Sequence, residues 1–194
     1  MNSNARPQAL PNPFSRAKGV LLSPHTEWSI IASESPSVVD LYTTYILIMA
    51  AIPALASLIA SSLRMTVTMH VVSLVTPFLV YVMVLASPLI VGLIIYALAP
   101  AFGAMRNYEQ ALKVATYAHT PSWVASVFSV VPGVGRLATL AGGLYVIYLL
   151  YLGLQYTMKV PASHAAAYAV VVVVGPFVVS AALMMGVMGL TLVG

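Results

Sequence analysis

The stretch VVSLVTPFLVYVMVLASPLIVGLIIYALAP, Val71–Pro100, decides how this chain folds. It holds no charged side chain, and the first charges met on either side are Arg64 and Arg106. A helix needs about 20 apolar residues to cross the hydrocarbon core of a bilayer. The interval Met65–Met105 exceeds one crossing but leaves almost nothing for a turn if it makes two. No polar loop interrupts it, so one long helix over residues 71–100 is predicted, kinked at Pro77 and Pro88. The alternative is a hairpin within residues 65–105.

Working outward, charges bound every other apolar interval as well. Leu41–Leu63 lies between Asp40 and Arg64, Val114–Gly135 between Lys113 and Arg136, and Leu137–Met158 between Arg136 and Lys159, with Ala165–Val193 last. The predicted spans are 41–63, 71–100, 114–132, 137–157 and 166–193. The expected fold is therefore all-α: a polytopic membrane protein, a five-transmembrane-helix bundle (residues 41–194) behind a short cytoplasmic N-terminal amphipathic segment (residues 1–40). Composition agrees, with 61% hydrophobic and only 6% charged residues, against about 25% charged in a soluble domain. Eight basic and four acidic side chains cannot coat a water-facing globule of 20.5 kDa.

Lysine and arginine in short loops set orientation, because they stay preferentially in the cytoplasm. Five spans place Arg6, Arg16, Lys18, Arg106, Lys113 and Lys159 on one side and only Arg64 and Arg136 on the other. The expected address is a cell membrane, an inner membrane in a bacterium, with the N-terminus cytoplasmic and the C-terminus outside. Scattered single cations make no nucleic-acid patch. The chain has no cysteine, which removes disulfides, thiolate chemistry and cysteine-held metals.

The first forty residues carry five prolines and three of the four acids. They lack the apolar core of a cleavable signal peptide. A flexible start to about Lys18 is expected, then an interfacial helix over residues 23–33, with Ser23 as N-cap and Pro24 at the first helical position. Such a helix would lay Trp28 at headgroup depth. Small residues at Ala50, Ala51, Ala54, Ala56 and Ser57, at Ala138, Ala141, Gly142 and Gly143, and at Gly186 and Gly189 suit close helix packing in lipid.

The order of several short segments carries a family resemblance. They are SPHTEWSII at Ser23–Ile31, the run ending in Pro53, YAHTPSWV at Tyr117–Val124, VPGVG at Val131–Gly135, YLLYLGL at Tyr148–Leu154, MKVP at Met158–Pro161 and AAY at Ala166–Tyr168. Together they resemble the bacterial branch of the Yip family, the Ypt/Rab-GTPase-interacting membrane proteins. The resemblance implies five transmembrane helices and a cytoplasmic N-terminus. It implies an address more than an activity, since the N-terminal segment is short and a bacterium has no Rab machinery.

Ionisable groups in a bilayer are costly and default to functional candidates. His119 and Thr120 sit beside Pro121 inside the third predicted span; the bland reading has His119 bonded to a carbonyl that Pro121 frees. His70 reads as an interfacial anchor. Tyr145, Tyr148 and Tyr151 step by three along one face of the fourth span, either lining a polar path, binding lipid, or packing with each hydroxyl on a neighbouring carbonyl. His25, Glu27 and Trp28 are the candidate contacts for a partner or lipid at the cytoplasmic face. Glu109 is expected to pair with Arg106 or Lys113 at an exposed helix end, while Arg106, Lys113 and Lys159 act as topology anchors. No HExxH, GxSxG or phosphate-binding glycine loop is present, so no enzyme, cofactor or metal is expected. Two functions remain: a non-enzymatic organiser of membrane that binds lipids or a cytoplasmic protein, and a small transporter or channel for an ion or lipid that forms a homo-oligomer.

Overall fold

The computed structural model describes residues 10–63, 70–131 and 133–176, with the side chains of residues 70–74 left aside. Every regular element among them is helical. Helix α1 (Pro13–Leu22) and α2 (Pro24–Ser33) form an N-terminal pair. Helix α3 (Val38–Leu63) follows, then α4 (His70–Leu98) with a 3₁₀ turn at Ala99–Phe102. Next come α5 (Tyr108–Ala118), α6 (Thr120–Ala125) running into 3₁₀ structure at Ser126–Val130, α7 (Val134–Met158) and α8 (Ala162–Pro176).

Three of these are long and apolar enough to cross a bilayer: Val38–Leu63, Val75–Phe102 and Val134–Met158. The Val71–Pro100 stretch is one helix rather than a hairpin. Pro77 and Pro88 lie inside it, and no run of polar residues interrupts it. The predicted third span is broken. A proline at 121 cannot donate to the helix ladder, and helix geometry lapses at His119, the shared boundary of α5 and α6. The last predicted span, 166–193, is described only as far as Pro176; Gly186, Gly189, Arg6 and Arg64 lie outside the described residues.

Two loops meet at one end of the bundle. The Met105 amide donates to the Met158 carbonyl at 3.0 Å, which joins the α4–α5 loop to the end of α7. The N-terminal helices pack against α5, α6 and α7, from the Met158 end as far along α7 as Tyr145. At the other end, Ser126–Val130 packs on α3 and on the start of α7. The buried core is continuous from Val20, Trp28 and Ile31 through Tyr45, Leu112 and Tyr117 to Leu149, Leu150 and Leu154. So the N-terminal helices belong to the bundle's core rather than to a separate tail. The flexible start expected to reach Lys18 also ends earlier, because Asn12 caps α1 by accepting from the Phe14 amide.

Candidate functional site: the N-terminal clasp

Helix α2 begins where Ser23 and Pro24 suggested, but Trp28 points inward. It is fully buried, its ring edge-on to Tyr117 at 6.5 Å and lying against Gly153 of α7. This corrects the headgroup placement expected for Trp28. A Cβ at residue 153 would come within 2.7 Å of the Trp28 ring, so only glycine leaves the slot open. The outward residues are instead Phe14, Leu22 and Ile30. Sequence alone could not choose the inward face, since α2 carries large apolar residues on more than one side.

Beneath the N-terminal helices lies a buried set of charges. Arg16 is 2% exposed and forks to two carboxylates, Glu27 at 2.5 Å and Glu34. Its guanidinium also stands 5.6 Å from the centre of the Tyr117 ring. Gly19 gives the Glu27 carboxylate room, because a Cβ there would collide with it. Lys113 of α5 reaches across and donates to the carbonyls of Ile31 and Glu34, at 2.8 and 2.6 Å. Those are carbonyls at the C-terminal end of α2, where the helix lacks internal donors and its dipole is negative. Two cations thus meet two carboxylates and the negative end of a helix, and buried charge of this kind is tolerated only when so paired. Burial lowers the Lys113 ammonium to about 8 despite the nearby carboxylates of Glu34 and Glu109.

Lys113 is therefore not the exposed partner of Glu109 that was expected. Arg106, the other expected partner, lies over the Tyr96 ring at 4.7 Å. Glu27 is not a free contact for a partner either, being taken by Arg16. Sequence reading did not pair Arg16 with Glu27 and Glu34. Arg16 lies in α1 and Glu34 just past the end of α2, with no helical spacing to join them, and the turn at Ser23 brings them together.

The tyrosine face of α7 holds the same N-terminal helices. Tyr145 donates to the Leu21 carbonyl at 2.8 Å, and Tyr148 meets His25 Nε2 at 3.2 Å. His25 Nδ1 lies 3.4 Å from the Tyr156 hydroxyl, so the imidazole bridges two tyrosines two turns apart. Tyr151 does not join these bonds; with His25, Leu152, Gln155, Tyr156 and Lys159 it lines a cavity of about 290 Å³. Lys159 closes α7 with φ 56° and ψ 34°, the left-handed region.

Around the break in the third predicted span, Thr120 Oγ1 donates to the Tyr117 carbonyl at 2.8 Å, the carbonyl that Pro121 leaves without its helical donor. Tyr45 of the π-helical turn Tyr42–Ile46 meets the same hydroxyl at 2.7 Å. His119 Nδ1 donates to the Ala115 carbonyl at 2.6 Å. Its partner is a carbonyl, as in the bland reading, but not the one Pro121 frees. His119 and Thr120 thus repair a broken helix and are not brought together with the tyrosine face. The side chain of His70 lies outside the described residues.

A family model for the Yip1 domain matches residues 18–184, nearly the whole of this arrangement from α1 onward. No curated protein and no solved structure matches the chain. The helical membrane architecture, the ordered segments from Ser23 to Tyr168 and this match over most of the length agree, and the chain belongs to the Yip family.

Proposed function

We propose that this protein is a non-enzymatic, multi-pass Yip-family protein of the bacterial branch, which organises the cell membrane by presenting its N-terminal helices to lipids or a protein partner at the cytoplasmic face. One observation carries the reading. Helices α1 and α2 are clamped to the bundle by Arg16, Glu27, Glu34, Lys113 and Trp28, yet Phe14 (61% exposed) and Leu22 (70% exposed) face outward. Outward apolar residues on helices fixed rigidly to the bundle give lipid or a partner a preformed surface to meet.

The reading includes five crossings. The span expected at residues 114–132 supplies one as a broken helix, running from the end where Met105 meets Met158 to the far end where Ser126–Val130 meets α3. The span expected at residues 166–193 supplies the last. Broken helices of this kind are accommodated in membranes when neighbours satisfy the freed backbone groups, as Thr120 does. The competing transport reading drew on the tyrosine face of α7, and two of its hydroxyls, on Tyr145 and Tyr148, are engaged by Leu21 and His25. Photo-crosslinkers at Phe14 and Leu22, activated in native membranes, should capture lipid or a discrete protein. Absence of capture at both, with capture by a control probe at the lipid-facing Leu144, would sink the proposal.

A further inference from the structure

We propose that the cavity between the start of α2 and the end of α7 binds a phosphate group, presented by an anionic phospholipid headgroup. The inference rests on the reading of this end as the one facing headgroups, and it names the lipid chemistry the N-terminal shelf would meet. Five residues with polar groups line the cavity of about 290 Å³: His25, Tyr151, Gln155, Tyr156 and Lys159. No carboxylate lines it, and Lys159 has no salt-bridge partner among the described residues. A phosphate would find the Lys159 ammonium as counter-charge. Gln155 would offer the second hydrogen of its amide, the first being donated to the Tyr151 carbonyl at 3.2 Å. Tyr156 would offer its hydroxyl, held in place by His25.

Depth suits a headgroup. Helix α7 has 25 residues, about 37 Å at 1.5 Å per residue, which exceeds a hydrocarbon core of about 30 Å. Its last turn and Lys159 therefore emerge among phosphates. The backbone of Lys159 adds an independent indication. A left-handed cap is the place of glycine or asparagine, and a side chain with a Cβ is disfavoured there. A lysine held in that conformation keeps an ammonium at the cavity mouth that a relaxed cap would lack. Strained positions of this sort cluster at ligand sites.

Lys159→Asn and Lys159→Gly both suit the left-handed cap, so each removes the charge without opposing the fold. Native mass spectrometry of the full chain in detergent would compare phosphatidylglycerol, phosphatidylcholine and inorganic phosphate as probes. Wild type should retain phosphatidylglycerol at least tenfold better than phosphatidylcholine, and both variants should lose that preference while their melting temperatures hold or rise. Retention of inorganic phosphate in place of lipid, again lost in both variants, would keep the phosphate site but overturn its assignment to a headgroup. Equal retention of the two lipids by wild type with no phosphate bound, or an unchanged preference in both variants, would overturn the site. Crosslinking at Phe14 and Leu22 does not depend on Lys159, so the wider proposal stands or falls separately.

Discussion

At residue 153 a missing side chain matters more than most of those present. Trp28 occupies the space that any Cβ at Gly153 would claim, and it makes no hydrogen bond through Nε1 among the described residues. Its contribution is therefore packing alone. Trp28→Phe should retain most of the fold's stability, whereas Trp28→Ala should cost about 3–5 kcal/mol. Thermal unfolding of the detergent-solubilised chain checks both, and equal losses would show that aromatic packing alone does not account for the indole. Gly153→Ala should behave like the larger truncation, since it expels the ring. Arg16 poses the opposite case, a charge that stays buried only because two carboxylates face it. Arg16→Met strands Glu27 and Glu34 and should cost on the order of 3–5 kcal/mol, the scale for breaking a buried ion pair from one side.

Helices α1 and α2 are held as an element by three kinds of bond: the charge set below, the indole slot at the middle, and tyrosine hydroxyls from α7. Limited proteolysis reads whether they act together. Wild type should resist cleavage around Ser33–Ser37, and Arg16→Met should be cut there first, before any site in α3 or α7. Lys113 makes the clasp sensitive to pH in a definite direction. Its folded-state value, about 8, lies below the ordinary 10.5, so between those values the unfolded chain holds more protons than the folded one. Stability from this group therefore rises with pH across roughly 8 to 10 and is flat below that window. Melting curves at pH 7.5 and 9.5 should show wild type gaining relative to Lys113→Met; a gain of the same size in both would assign the effect to other groups. The break between α5 and α6 follows a different logic: proline removes a donor, and Thr120, with Tyr45 behind it, makes the loss good locally.

For the whole molecule, the absence of cysteine allows a direct test of path and orientation. Single cysteines at Ser35, Met105 and Ser163 lie at the end where the N-terminal helices dock, and one at Val131 lies at the other. A membrane-impermeant maleimide applied from outside should label only Val131→Cys in intact cells, and the other three only after the membrane is opened. Labelling of Met105→Cys from outside would reverse the orientation. The long apolar intervals were legible as helices because a bilayer imposes one demand, uninterrupted apolar length, which composition and charge spacing record directly. That demand made Val71–Pro100 legible as helical, and the structure decided for one helix over a hairpin. The site was legible only in its pieces: Ser23 with Pro24 as a helix start, and Tyr145, Tyr148 and Tyr151 as an unusual face. Partners separated by scores of residues leave no local periodicity, so Lys113 on Ile31, Tyr145 on Leu21 and Trp28 on Gly153 could not be read. The sequence by itself thus determined a membrane-embedded helical chain and its family, because lipid acts on each segment separately. Only the tertiary structure decided which face of α2 turns inward and which charges neutralise one another, because those outcomes depend on distant segments competing for the same buried space.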